Sequence, residues 1–379
     1  MFTKKKLLLP WYRYPPFDSQ GIGGLSVSVW DTANRLCGQG VEVTVVTPNL
    51  ESRQSTEGHG PRIIGRETCK KLISGEKLDS EDKSFLGEYD CILSVNNFGA
   101  ASLRSLGSTV KIIRQIHTVA RDRPISTYVS LRPTILEYVK MLVYNRRERR
   151  AELVLKGTKT ICVSRYLSKK IVELGVEDER NVGWIPNGVD TAAFTPKGSE
   201  KIFDVLYVGR FQRVKGLDIL LDCFRVLAER RELYTLGIIG HFDDDQRRYC
   251  LNKWGEEAMS KTRFLGVVQR EDIPDVINSA KLLVVPSRYE TFGIPVIEAL
   301  ACGVPVVATR VGGLAELVSQ GVGKLVDSFK PADLADAISS TLKDDALQRS
   351  ALVEGPKKAT EFDWRKVAQR LSDAITEAS

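Results

Sequence analysis

Eleven short apolar runs, alternating with stretches of helical periodicity, constrain this chain more than any motif does. In the first half they fall at residues 6–9, 42–47, 90–95, 110–116 and 159–163. In the second they fall at 203–208, 234–239, 262–267, 281–285, 304–308 and 323–326. Strands spaced by helical segments argue for an α/β protein with parallel sheets and crossover helices. Two successive βαβ series, and a length of 379 residues, predict two Rossmann-like domains. The boundary is placed at Trp184-Ile185-Pro186-Asn187-Gly188, where Pro and Asn-Gly punctuate the chain. That gives units of 1–185 and 186–360, followed by a helix from about 361 to 379 with Trp364, Val367 and Leu371 at helical spacing. Residues 51–88 are polar and aperiodic and read as a long surface excursion.

No run approaches the ~18 apolar residues of a membrane span. Leu7-Leu8-Leu9 after three lysines is stopped by Pro10-Trp11-Tyr12-Arg13, so it reads as the first buried strand rather than a signal peptide. The seven cysteines, at 37, 69, 91, 162, 223, 250 and 302, contain no CxxC pair, and there are three histidines. Neither a zinc site nor a disulfide framework is indicated, and a reducing cytoplasm is expected. Residues 1–190 hold 29 Lys/Arg against 21 Asp/Glu, the remainder 26 against 27. The basic first half leaves open an anionic acceptor, or a peripheral contact with the inner face of an anionic membrane. The segment 136–155 mixes apolar residues at helical spacing with Arg146, Arg147, Arg149 and Arg150; it reads first as a solvated basic helix packed by one face, and otherwise as one that lies on a membrane or grips an anionic acceptor. No nucleic-acid partner is expected.

The richest local pattern is Glu290-Thr291-Phe292-Gly293-Ile294-Pro295-Val296-Ile297-Glu298. Pro295 suits the first position of a helix, and Gly293 lets the backbone approach a ligand. Such a helix start offers free N–H groups and a positive dipole end to a phosphate. Glu290 lies in the loop before it and Glu298 one turn in, facing where vicinal hydroxyls would lie. A second cluster, Gly209-Arg210-Phe211-Gln212-Arg213-Val214-Lys215-Gly216, follows an apolar strand and precedes a helix. Arg210 and Lys215 therefore leave the strand end where open α/β sheets bind ligands, and together could neutralise a diphosphate.

With these motifs the chain resembles retaining glycosyltransferases of the GT-B fold, specifically glycosyltransferase family 4. Gly21-Ile22-Gly23-Gly24 is similar to the family's N-terminal glycine loop, and Ile161-Cys162-Val163-Ser164 and Ile185-Pro186-Asn187-Gly188-Val189-Asp190 to its interdomain region. The Arg210/Lys215 cluster, Val284-Val285-Pro286-Ser287, the glutamate pair and Gly303-Val304-Pro305-Val306-Val307-Ala308 complete the set. The likeness is dense over roughly 160–330 and sparse before, apart from the glycine loop and His117.

The resemblance implies two Rossmann-like domains facing each other across a deep cleft: an acceptor-binding N-terminal domain, onto which the last helix crosses back, and a donor-binding C-terminal domain. It implies transfer from a nucleoside-diphosphate sugar, by default a UDP-sugar, to a hydroxyl of a saccharide, glycolipid or small metabolite, by a retaining, metal-independent hexosyltransferase-type reaction with no cofactor. Arg210 and Lys215 would bind the diphosphate, Glu290 the transferred sugar and Glu298 the ribose. The backbone of Thr291, Phe292, Gly293 and Ile294 would complete these contacts, and Val268 would read the base. Gly23 and Gly24 would approach from the opposite domain, and His117, ending its strand, would face the donor sugar. Where many members carry Glu before the lysine this chain has Val214, and His241 replaces a family glycine.

Asp243-Asp244-Asp245 reads as helix capping and solvation rather than a metal site. A dinucleotide-binding reading of the glycine loop fails because the second strand ends Val46-Thr47-Pro48, with no acid to hold a ribose. A sugar-nucleotide epimerase of the same fold and a non-catalytic GT-B protein remain the alternatives.

Overall fold

The computed structural model describes residues 4–11, 24–48, 60–108, 110–122 and 134–378. The first half runs β1 (Lys6–Pro10), α1 (Gly24–Gly38), β2 (Glu42–Thr47), β3 (Arg62–Gly65), α2 (Glu67–Ser74), α3 (Ser80–Leu86) and β4 (Cys91–Val95). It continues through α4 (Ala100–Leu103), β5 (Lys111–Ile116), α5 (Ile135–Val154), β6 (Lys159–Cys162), α6 (Arg165–Glu173) and β7 (Val182–Trp184). The second half runs β8 (Phe203–Val208), α7 (Leu217–Glu229), β9 (Leu236–Ile239), α8 (Asp244–Met259), β10 (Thr262–Gly266), α9 (Ile273–Asn278) and β11 (Ala280–Val285). Then follow α10 (Ile294–Ala301), β12 (Val306–Thr309), α11 (Leu314–Leu317), β13 (Gly323–Val326), α12 (Pro331–Leu342), α13 (Asp345–Ala359) and α14 (Trp364–Ala378).

The strands form two wholly parallel sheets, ordered β3-β2-β1-β4-β5-β6-β7 and β10-β9-β8-β11-β12-β13. Central strands are apolar on both faces because helices cover both. Leu7 and Leu9 of β1 join one core with α1 and α14, while Leu8 points into the other with α2 and α3. In β11, Leu283 and Val285 face one layer and Leu282 and Val284 the opposite one. The two unexpected strands, β3 and β7, are the edges of the first sheet. The stretch read as an excursion over 51–88 holds β3, α2 and α3 over its described part. There Thr68, Cys69 and Leu72 turn inward from otherwise polar turns.

Two chain crossings join the halves, and they are bonded to each other. Val189 N donates to Phe362 O (2.8 Å) and Trp364 N to Val189 O (3.1 Å). Gly188 is required beneath the Trp364 ring, since a Cβ there would lie 2.3 Å from Trp364 Cδ2. From this joint α14 runs onto the first sheet, burying Trp364, Val367, Leu371 and Ile375 beside β1 and α1. The halves also touch directly. Ser28 Oγ on α1 donates to Asn187 Oδ1 (2.7 Å), and Arg35 pairs with Asp190 (2.6 Å). Glu316 of the second half accepts from the N–H groups of Arg165 and Tyr166 at the start of α6.

Candidate active site

In the second sheet β8 and β11 are neighbours from which the strand order runs outward in both directions, which is the switch point of an open α/β sheet. The loops leaving their C-terminal ends carry the two charged motifs. Arg288 fastens them together: its N–H donates to Val214 O (2.8 Å) and its Nη1 to Arg213 O (2.7 Å). Its guanidinium grips Asp218 at 2.7 and 2.8 Å, a bidentate geometry that fixes orientation as well as charge. Gly216, in the left-handed region (φ 71°), lets the loops touch, because a Cβ would sit 1.8 Å from Pro286 O.

The result is that Lys215 Nζ donates to Glu290 Oε2 at 2.7 Å, with the side chains 28% and 13% exposed. Beneath them the buried Tyr207 hydroxyl lies 3.4 Å from Arg210 O and 3.5 Å from Lys215 O, and burial pushes its pKa up. The Arg210 side chain is exposed, and its guanidinium has no hydrogen-bond partner among the described residues.

Thr291 and Ile294 are partly exposed, while Phe292 is buried against Phe362 with ring centroids 5.9 Å apart. The α10 helix begins at Ile294 with Gly293 (φ 111°) as its N-cap, so Pro295 occupies the second rather than the first helical position. Gly313 N donates to Glu290 O (3.0 Å), so a neighbouring glycine turn props up the glutamate loop.

Glu298 lies on the buried side of α10. Its carboxylate is 3% exposed and already held by Arg270, from the segment after β10. Arg270 also lies over the Phe194 ring (5.0 Å) and 4.0 Å from Asp31 of α1, so it bridges the two halves. Burial raises the Glu298 pKa, opposed by the Arg270 charge; burial likewise raises that of Asp31. Val268, two residues before Arg270, is half-buried against the core.

His117 follows β5 in the first sheet. Its N–H donates to Asn96 Oδ1 (2.7 Å), while its buried Nε2 has no partner among the described residues. Burial alone pushes its pKa down to about 3, so the ring is neutral at physiological pH. Gly24 opens α1, whereas Gly21, Ile22 and Gly23 lie outside the described residues. Asp243 caps α8 reciprocally with Gln246 (2.7 and 3.2 Å), and Asp245 pairs with Arg248. His241 is exposed.

Arg288, Asp218, Arg270 and Glu316 escaped the sequence reading. Arg288 and Asp218 each stand within a few residues of a motif, but their pairing exists only once β8 and β11 are adjacent. A cavity of about 680 Å³ lies at the joint, lined among others by Arg165, Trp184, Glu316, Lys358 and Arg370. None of Arg210, Lys215, Glu290, Glu298 or His117 lines it.

Two parallel-sheet α/β domains with a charged site at the switch point of the second define a GT-B protein. Two family models match in tandem: Glycosyltransferase Family 4 over residues 22–193 and Glycosyl transferases group 1 over 191–358. The chain belongs to this family of glycosyltransferases. It is 28% identical to a D-inositol 3-phosphate glycosyltransferase of Paenarthrobacter aurescens, covering 96% of each chain. It is also 28% identical to a mannosylfructose-phosphate synthase of Agrobacterium fabrum, over 94% of this chain and 87% of that one. Among solved structures, a sucrose-phosphate synthase of Thermosynechococcus elongatus aligns with a TM-score of 0.77 at 20% identity, covering 99% of both chains. Anabaena HepE, solved with UDP-glucose, aligns at 0.73 and 18%, covering 99% of this chain and all of that one.

Proposed function

We propose that the protein moves a sugar from a nucleoside-diphosphate donor, in the first instance a UDP-sugar, to an acceptor hydroxyl with retention at the anomeric carbon and without an essential metal. The observation that carries this reading is the Lys215–Glu290 pair beside the exposed Arg210 guanidinium, which has no partner among the described residues, at the β8/β11 switch point. A diphosphate entering there meets Arg210 and Lys215, and Glu290 is then free to accept from the sugar's hydroxyls. The backbone from Thr291 to Ile294 and the start of α10 complete the cradle. Glu298, aligned by Arg270, accepts from the ribose hydroxyls, and the Val268 backbone meets the base. Gly23, Gly24 and His117 act from the acceptor-binding unit, residues 1–185 plus α14, where the orphaned Nε2 of His117 gains a hydroxyl partner. The donor-binding unit is 186–360.

In the transfer, the bond from the anomeric carbon to the phosphate oxygen breaks and the acceptor oxygen bonds on the same face. The acceptor's proton passes to the departing phosphate. Charge stabilisation and positioning supply most of the rate. Relatives named for inositol 3-phosphate and mannosylfructose-phosphate support a small phosphorylated acceptor as readily as a saccharide or glycolipid. The site of action is cytoplasmic. The test is a thermal-shift titration with UDP, GDP, ADP and NAD, repeated on Glu298→Ala and Lys215→Ala. A shift with one diphosphate, weakened in both variants, supports the reading and names the nucleotide; no shift with any diphosphate overturns it.

A further inference from the structure

The α5 helix is built inside out. Its buried residues are polar: Asn145 and Glu152, each 2% exposed. Glu152 accepts from Ala120 N and lies 3.6 Å from Arg121 Nε; the Asn145 amide donates to Ala120 O (3.0 Å). The apolar residues of its first turns point outward, while Ala151 and Val154 near its end pack on the core: Ile135 is 85% exposed, Val143 65%, Leu136 61%, and Val139 and Leu142 about half. At 100° per residue, Ile135, Val139, Leu142, Val143, Arg146, Arg149 and Arg150 fall within an arc of about 120°. One face of the helix is therefore apolar over its first turns and cationic over its later ones. Arg146 and Arg150 have no ion-pair or hydrogen-bond partner among the described residues. The solvated basic helix expected from the sequence would have shown the reverse burial.

We infer that α5 seats the N-terminal half on an anionic lipid surface, its apolar turns entering the acyl boundary and its arginines meeting the phosphates. A polar protein partner would satisfy the arginines but leave the apolar turns wet. A second copy across a two-fold axis in antiparallel pairing would lay arginines against apolar turns. A lipid interface supplies both environments, stacked in the order the helix presents them. Because α5 is bonded to Ala120, three residues past His117, seating it brings the acceptor side of the cleft to the surface. The docking does not rest on the transferase chemistry and is read independently of it.

The test is flotation of the full chain with phosphatidylcholine vesicles and with mixed phosphatidylcholine–phosphatidylglycerol vesicles. Val139→Glu/Val143→Glu and Arg146→Glu/Arg150→Glu are compared, with melting temperature and circular dichroism checking the fold. The expected result is binding to the mixed vesicles that weakens with salt and falls at least tenfold in each variant, since each basic residue near such a surface contributes about fivefold. Absence of flotation, or flotation equal in wild type and both variants, overturns the inference. A concentration-dependent dimer abolished by Val139→Glu/Val143→Glu, without vesicle binding, overturns it in favour of self-association. A milder pair, Val139→Ser/Val143→Ser, replaces the glutamates if those fail to fold.

Discussion

Lys215 and Glu290 meet at 2.7 Å across 75 residues of sequence, and each is the other's counter-charge until something better arrives. Replacing Lys215 or Arg210 by Ala should lower turnover about 10²–10³-fold, as for loss of one preorganised oxyanion donor, with the melting temperature little changed. Steady-state rates on the donor identified by titration would show it. His117 makes a second prediction. Its pKa falls from 6.5 to about 3 on folding, so below 6.5 the unfolded chain takes up a proton that the folded one refuses. Stability is intact above pH 6.5 and is lost progressively as pH falls toward 3. Between pH 6.5 and 4.5 the loss from this residue is roughly 2 kcal/mol. Melting curves across that range should be flatter for His117→Gln than for wild type, and equal slopes would refute the assignment. The residue types of the site were legible in the motifs, but their partners were not. Glu298 stood out as a carboxylate on a helix, yet nothing in its sequence neighbourhood signals Arg270, 28 positions upstream.

At the scale of elements, β5 is anchored by an ion pair in its middle. Arg114 Nη2 meets Glu177 at 2.7 Å with both side chains fully buried, Nε donates to Thr160, and Nη1 donates to Glu152 O. Arg114→Met removes the counter-charge of the buried Glu177 carboxylate, leaving it the N–H donors of Gly157, Asp178 and Asn181, and should cost about 3–5 kcal/mol in urea unfolding, with Glu177→Gln restoring part of it. Because Arg114 ties β5 to β6 and α5, the variant should also loosen the His117 strand end. Every strand of the second sheet was legible in the sequence to within about two residues: the inner four, β8, β9, β11 and β12, as continuous apolar runs, and the edges β10 and β13 through Phe264-Leu265 and Leu325-Val326. The β3 and β7 strands were not, for a physical reason. Edge strands have one neighbour and need few apolar residues, so Arg-Ile-Ile-Gly and Val-Gly-Trp carry almost no signal. The short α2 and α3 turn only a few residues inward, which is why their stretch read as a loop. The orientation of α5 was invisible for the opposite reason. Its composition looks amphipathic, but only the contacts reveal which side is buried.

For the whole molecule, the joint at Gly188 and Trp364 governs how the halves sit. Gly188→Val forces a side chain into the Trp364 ring. The overpacking should cost about 1–3 kcal/mol and lift α14 from the first sheet. Limited proteolysis should then release a C-terminal fragment, while the intact wild type resists. The same crossing has a consequence during synthesis. The N-terminal half leaves the ribosome first, but the helix that covers Leu7 and Leu9 is translated only after the whole of the second half. At typical elongation rates the interval between β7 and α14 is on the order of 10–40 s. Throughout it, one side of the first sheet is an apolar surface waiting for its lid. A stop codon between Glu298 and Trp364 would spare every charged residue of the switch-point loops and still leave a nascent chain that chaperones must hold, or that aggregates.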